Sequence, residues 1–128
     1  MQTVGKIDIE KYRCIAEDIV TDEVIITPER IRHIKERRGE GFYEKYESYF
    51  PMILSDPDYI FPDDRINTVI VCKVIGEGES AINLVLRLVV EGDDPNYKNS
   101  ILTAVRENKK RFAQRLRNHT PIYKKIDT

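Results

Sequence analysis

The sequence predicts an α+β fold: N-terminal helices pack on one face of an antiparallel sheet of about four strands, and a basic helix follows near the C-terminus. Three patterns indicate this fold: a capped helix that begins at residue 28, two apolar strand-like segments between residues 67 and 90, and a basic segment after residue 106. A length of 128 residues is typical of one domain, so we expect residues 1–128 to form a single unit.

The first helix has well-defined ends. Thr27 is an N-cap residue, Pro28 follows at the first helical position, and Gly39 is suited to the left-handed C-terminal position. Before it, "TVGKIDIEKYRCIAEDIV" alternates weakly and predicts a short strand or edge segment, while "DEVIIT" is a brief apolar run that leads into the helix.

His33 lies on the polar side of this helix. Ile31 and Ile34, three residues apart, should face the core, and at about 100° per residue His33 then points away from them. The side chain is therefore exposed or lines a groove made with another part of the fold. Position alone leaves open whether it is a working acid or base or a solvated histidine.

A second helix is expected from Phe42, with an aromatic and aliphatic stripe that packs on the sheet and with Pro51 as its end or kink. The stripe comprises Phe42, Tyr46, Tyr49 and Ile53. A short strand should follow at residues 59–61.

The sheet is predicted from residues 67–75, 81–90 and 99–106, the first two joined by the glycine-containing connection "GEGES". In the second of these strands every even position from Ile82 to Val90 is apolar, whereas the odd positions are mixed. This pattern is typical of a sheet that helices cover on one side only. A basic helix with Phe112 and Leu116 facing inwards should close the chain.

Arg87 and Thr103 are candidate site residues on the uncovered face. If Glu91 lies opposite Asn99, then Arg87 lies directly opposite Thr103, near enough for both side chains to reach one phosphate. Alternatively, Arg87 pairs with a carboxylate such as Glu91 and Thr103 is simply a good strand residue. With a five-residue hairpin loop, Lys73 would sit opposite Asn83 at the far end of the same groove.

The charge is unevenly distributed. The net charge is −1, but residues 98–128 carry nine basic and two acidic residues. Such a basic edge attracts an anionic polymer, although a solvated amphipathic helix explains the same charges. The sequence has no segment typical of a signal peptide or membrane span, and Cys14 and Cys72 match no redox or metal spacing. We therefore expect a reduced, cytoplasmic protein without membrane association.

Five segments, in this order, resemble the phage-type branch of the barnase, EndoU, colicin and RelE-like (BECR) ribonuclease superfamily. They are "VGKID", "ITPERIRHIKERRG", "DPDYI", "NSILTAVRENKKRF" and "IYKK", which together span most of the chain. The resemblance implies one or two helices followed by an antiparallel sheet, in agreement with the pattern above.

The resemblance also implies metal-independent RNA cleavage with no cofactor, in which the ribose 2′-hydroxyl attacks the adjacent phosphate and leaves a cyclic phosphate. His33 would be the acid or base, Arg87 would stabilise the phosphate charge, and Thr103 would hydrogen-bond a phosphate oxygen. Substrate binding is assigned to Arg37, Lys73, Arg106 and Tyr123. The second proton-transfer group would be Lys73, Tyr123 or a residue that these motifs do not identify.

The expected biological role is that of a toxin or an effector of a phage or mobile element, with RNA as substrate and a neutralising immunity or antitoxin protein as partner. The alternative is a catalytically silent RNA- or protein-binding module of such an element. A third possibility, a metal site built from Asp56, Asp58, Asp63 and Asp64, is weaker because aspartate is common in turns for backbone reasons.

Overall fold

In the computed structural model, which describes residues 2–76 and 80–126, helices pack on both faces of one seven-stranded sheet. The strands are β1 (Gln2–Lys6), β2 (Glu23–Ile26), β3 (Tyr59–Pro62), β4 (Thr68–Ile75), β5 (Ser80–Arg87), β6 (Asn99–Asn108) and β7 (Tyr123–Lys124). The helices are α1 (Ile9–Tyr12), α2 (Pro28–Arg38), α3 (Phe42–Tyr46), α4 (Phe50–Ser55) and α5 (Lys109–Asn118), with a 3₁₀ turn (Glu47–Tyr49) between α3 and α4.

The α+β class is confirmed, but the sheet is larger than the four strands predicted. Its order is β1-β2-β6-β5-β4-β3-β7, and the β2–β6 pair is parallel. The additional strands are short, and each of them pairs with a segment distant in sequence, as when Tyr123 lies opposite Ile60. Such strands carry little periodicity of their own.

The N-terminal helices cover the face of the sheet that we call the first face. Ile82, Leu84 and Leu86 of β5 point into this layer and are fully buried. The predicted stripe is confirmed for Tyr46 and Ile53, which are buried, and Phe42 packs against the same core. The prediction was wrong for Tyr49, which is 40% exposed. Pro51 does not end a helix but occupies the first turn of α4, where its missing N–H is tolerated.

Helix α2 has the predicted ends. The hydroxyl of Thr27 accepts a hydrogen bond from the Arg30 amide at 3.2 Å, and Gly39 adopts a φ of +89° after the last turn. Ile34 is fully buried in the first-face core.

Helix α5 lies on the opposite side of the sheet, which we call the second face. Phe112 packs there against Phe61, Cys72 and Ala81, as the inward orientation of Phe112 predicted. The same expectation for Leu116 was wrong, since this side chain is 36% exposed. The second face is therefore not open along its whole length.

The predicted connection "GEGES" falls mainly on residues 77–79, which lie outside the described residues; around it, Ile75 pairs with Ser80. No helix in the described part of the chain has the length and apolar character needed to cross a membrane.

Candidate functional site

The second face carries polar side chains in the middle of the sheet. Strand β5 presents Asn83, Val85 and Arg87 to this face, because they alternate with the buried first-face residues. Across the sheet, Thr103 lies opposite Val85, and Ser100 lies opposite Arg87. A row of hydrogen-bonding groups thus runs along β5 and β6 beyond the part that α5 covers.

The predicted register between Arg87 and Thr103 was wrong. Arg87 pairs with Ser100 and Thr103 with Val85, because a β-bulge between these pairs places Leu102 as an extra residue in β6. The two side chains nevertheless share the second face as diagonal neighbours, a relationship that separates Cα atoms by about 7–8 Å in regular sheets. Bulges often occur beside active sites, where they redirect a side chain.

Two buried atoms on this face have no hydrogen-bond partner within the described residues. They are the Thr103 hydroxyl oxygen and the side-chain carbonyl oxygen of Asn83. The side-chain NH₂ group of Asn83 donates a hydrogen bond to a carboxylate oxygen of Glu107, which orients the amide. Because an unsatisfied buried polar group costs about 1–3 kcal/mol, a ligand that completes these bonds would gain affinity.

Arg87 lies beside a cavity of about 300 Å³ at the end of β5. Its Nη1 atom donates to the Leu88 carbonyl and lies 3.8 Å from a carboxylate oxygen of Asp93. The predicted alternative partner, Glu91, is therefore replaced by Asp93. Contacts at Nη1 leave the remaining guanidinium N–H groups to bind a further acceptor.

Helix α2 places the predicted acid or base, His33, alongside β6. The pairing of β2 with β6 ends at Ser100. Beyond that point α2 lies next to β6, where Arg38 Nε donates a hydrogen bond of 2.7 Å to the Ala104 carbonyl. His33 is half-buried and Arg37 is exposed on the same helix. The half-burial of His33 agrees with a side chain that lines a groove.

The structure does not bring the remaining predicted site residues to the second face. His33 and Arg37 belong to α2, one of the helices that pack on the first face. Arg106 and Lys73 both flank Ile82, which belongs to the first-face core, and Tyr123 also packs against that core. The placement of Lys73 opposite Asn83 was wrong; Cys72 occupies that position.

Lys73 is held by two carboxylates on the first-face side. Its ammonium group lies 3.2 Å from Asp56 and 3.3 Å from Asp58. Asp56 also contacts Lys11 and Lys125, and these hydrogen bonds, that of Lys125 above all, hold the pKa of its carboxyl well below the usual range.

Three of the four carboxylates of the possible metal site, Asp56, Asp58 and Asp63, are paired with bases instead. Asp63 contacts Arg65 at 2.8 Å, and the lysines described above surround Asp56 and Asp58. Within residues 2–76 and 80–126, no group of three or more histidine, cysteine, aspartate or glutamate side chains is arranged to hold a metal ion.

One flank of α5 adds positive charge to the second-face side. A cavity of about 260 Å³ lies between this flank and β6 and is lined by Glu107, Arg111, Gln114, Arg115, Asn118 and His119. Arg115 makes two hydrogen bonds to Glu107, at 2.8 and 3.2 Å, which raise the pKa of its guanidinium.

Sequence reasoning missed this flank, including His119. The spacing of Arg111, Arg115 and Asn118 would have revealed it, since positions four and three apart share one side of a helix. The residues of the loop before β6, including Tyr97 and Lys98, carried no such pattern.

Comparison with known proteins gives one match. No curated protein and no solved structure matches the chain. The model of the family described as phage-Barnase-EndoU-ColicinE5/D-RelE like nuclease2 matches residues 1–124, nearly the whole length. The chain therefore belongs to the phage-Barnase-EndoU-ColicinE5/D-RelE like nuclease2 family, and its function is in general that of a nuclease.

Proposed function

We propose that this nuclease is a metal-independent endoribonuclease in which the ribose 2′-hydroxyl attacks the adjacent phosphate. The attack forms the 2′,3′-cyclic phosphate and breaks the bond to the 5′-oxygen, which leaves as a hydroxyl. The observation that carries the proposal is the buried hydroxyl of Thr103, which has no hydrogen-bond partner among residues 2–76 and 80–126 and lies on the same sheet face as Arg87. Together they supply a neutral donor and a fixed cation beside each other, as a transition state with extra phosphate charge requires.

In this proposal Arg87 balances the charge that develops on the non-bridging phosphate oxygens. Its planar guanidinium keeps donors in a fixed geometry, and Asp93 on one side orients it. Thr103 donates its hydroxyl hydrogen to one of the same oxygens. A phosphate oxygen in that position also removes the cost of the unpaired hydroxyl.

His33 is proposed to exchange the proton of the 2′-hydroxyl or of the leaving 5′-oxygen. It is half-buried on α2, the helix that lies along the strand carrying Thr103. Arg37, one turn further along the same helix, would bind a neighbouring phosphate. Arg106 is exposed on β6 and would contact RNA outside the cleavage site.

Lys73 is held by Asp56 and Asp58, and Tyr123 packs against the first-face core, so we assign the second proton transfer elsewhere. His119 lines a cavity on the second-face side together with Arg115 and Ile70, and Ile70 is the strand neighbour of Val85. A histidine can act as either acid or base near neutral pH, which makes His119 the next candidate.

The RNA strand is proposed to run along β6. From Ser100 to Glu107 the strand advances seven residues, about 23 Å at 3.3 Å per residue. Arg87 lies at one end of this path, and Arg111 of α5 lies at the other. Binding should therefore weaken with added salt, in proportion to the phosphates neutralised.

The test is incubation of the protein with mixed RNA in a chelator, beside His33→Ala and the control Arg32→Ala on the exposed side of the same helix. The wild type and the control should leave cyclic phosphate ends, detected by mass spectrometry of the fragments. His33→Ala should cut at least about 100-fold more slowly, the contribution of a positioned acid or base. Cleavage at the wild-type rate in His33→Ala would remove this residue from the mechanism.

The competing proposal is a catalytically silent RNA- or protein-binding module of a phage or mobile element. The contact between Arg87 and Asp93 favours it, because a paired arginine is less available to a phosphate. If the folded protein binds RNA without cleaving it, this result would support the binding-module proposal. An effector role with a neutralising protein partner belongs to the enzyme proposal, and co-purification of that partner with the wild type tests it.

A further inference from the structure

The cavity beside Arg87 is lined by apolar, aromatic and polar residues. Its apolar side is made by Ile25 and Val89, and its rim carries Tyr97, Asn96 and Ser100. The volume of about 300 Å³ lies at the lower end of the range for small-molecule sites. Because Arg87 lines the same cavity, a group held there lies next to a phosphate bound by this arginine.

The charged groups of the cavity compensate one another. Lys98 donates to Glu23 at 2.8 Å, and Arg87 lies 3.8 Å from Asp93. Each cation at this site thus has a carboxylate partner, and the interior holds no excess positive charge for a second phosphate. Apolar walls and balanced charges suit an aromatic heterocycle better than an anion.

Tyr97 provides a stacking surface. Its side chain is 63% exposed although its ring lines this cavity and an adjoining one of about 320 Å³. An exposed tyrosine between two cavities next to an arginine is the arrangement by which many proteins hold single-stranded nucleic acid.

Hydrogen bonds within the chain hold the loop that carries these groups. The Val90 amide donates to Asp93 Oδ2 at 3.0 Å, and the Tyr97 amide donates to the Asp94 carbonyl at 2.9 Å. At its base, Asn99 accepts from the Val89 amide at 2.8 Å and is itself fully buried. A preformed loop lowers the entropic cost of binding.

We propose that this cavity is a nucleobase subsite, formed by Ile25, Val89 and Tyr97, in which Asp93 accepts a hydrogen bond from an amino group of the base. The inference rests on the proposed function, since it assigns the base attached to the phosphate at Arg87. Within the described residues, Asp93 Oδ2 already accepts the Val90 amide, whereas Oδ1 has no hydrogen bond. Bases with an exocyclic amino group should therefore bind better than uracil.

The test measures binding without cleavage. The wild-type protein is titrated with adenosine, cytidine and uridine 3′-monophosphates and with inorganic phosphate, followed by the amide NMR signals of residues 96–100. The adenosine and cytidine nucleotides should bind about tenfold or more tightly than inorganic phosphate, and several-fold more tightly than the uridine nucleotide. Equal affinity for nucleotides and phosphate would overturn the subsite and leave a phosphate site only.

Four variants sharpen the result. Tyr97→Ala should weaken nucleotide binding by about fivefold or more, the lower end for loss of a stacked base. Tyr97→Phe should retain it, and Tyr49→Ala, at a tyrosine 40% exposed on the helix side, should change nothing. Asp93→Asn should abolish the difference between the cytidine and uridine nucleotides. Unchanged binding in Tyr97→Ala would contradict the proposal.

The two proposals fail separately. If the nucleotides bind as expected while RNA remains intact, the ribonuclease proposal fails and the subsite stands. If RNA is cleaved while the nucleotides bind no better than phosphate, the subsite fails and the ribonuclease proposal stands.

Discussion

The first and second faces of the sheet use alternate residues of the same strand for different purposes. On β5, Leu84 is fully buried among the N-terminal helices, whereas its neighbours Asn83 and Val85 face the side that carries Arg87. The first face packs its apolar centre against the N-terminal helices. In the described part of the chain, α5 covers one end of the second face, and the central part contains two buried oxygen atoms without hydrogen-bond partners. Stability is thus concentrated on one face, and the other tolerates an energetic cost where a substrate would bind.

The largest expected difference between the faces is in stability. Leu84→Ala should lower the free energy of unfolding by about 2–5 kcal/mol, because it leaves a cavity in a fully packed layer. Val85→Ala, at the adjacent position of the second face, should cost about 1–2 kcal/mol. Urea unfolding followed by circular dichroism measures both values. Equal losses would mean that the second face is packed as tightly as the first.

The attachment of α5 to the second face depends on the Glu107–Arg115 pair. Glu107 is 6% exposed, so Glu107→Gln should cost about 2 kcal/mol by leaving the Arg115 charge without its partner in a partly buried position. The exposed pair of Glu10 and Arg13 is a matched control, and Glu10→Gln should cost less than about 0.5 kcal/mol.

Cys72 reports directly on α5, because the thiol is fully buried beneath this helix and burial raises its pKa. A thiol reagent should label exposed Cys14 in the folded wild type, and Cys72 only after unfolding. Glu107→Gln should accelerate the labelling of Cys72. An unchanged rate would show that α5 is held by Phe112 alone.

Substitution of Thr103 should reduce RNA cleavage without lowering the free energy of unfolding. Thr103→Val removes a hydroxyl without a partner, so the free energy of unfolding should stay constant or rise by up to about 1 kcal/mol. Cleavage of RNA should fall about tenfold or more, and Thr103→Ser should restore most of it. Loss of more than about 1 kcal/mol in Thr103→Val would indicate that the hydroxyl has a partner in the folded protein.

The elements that the sequence predicted well are those with local patterns. Helix α2 has its cap and glycine within 13 residues, and the alternation of β5 identifies its buried side without knowledge of its neighbours. The β1, β2 and β7 strands were underestimated because their pairing is set by distant segments.

The site was predicted less well because it depends on register. A bulge at Leu102 places Thr103 opposite Val85 and not opposite Arg87. The connection between β4 and β5 is one residue shorter than predicted, so Lys73 lies opposite Ile82 and not opposite Asn83. Side-chain direction alternates along a strand, so a shift of one residue transfers a side chain to the other face. No local feature of the sequence reveals either shift.

The smallest expected effect on stability concerns Asp56, a carboxylate at the edge of the first face. Hydrogen bonds from Lys125, Lys73 and Lys11 lower the pKa of Asp56 in the folded protein below the value of about 3.9 of an unfolded chain. The ionised carboxylate therefore stabilises the fold above about pH 4, and this contribution is lost as the pH falls through the lowered pKa. Since the Asp56 side chain is 39% exposed, screening by solvent should limit the contribution to about 1 kcal/mol or less.

Asp56→Asn should reduce the dependence of the free energy of unfolding on pH below about pH 4. RNA cleavage at neutral pH should stay unchanged, because Asp56 lies on the face away from Arg87. A loss of cleavage in this variant would show instead that Lys73, released from Asp56, affects the second face.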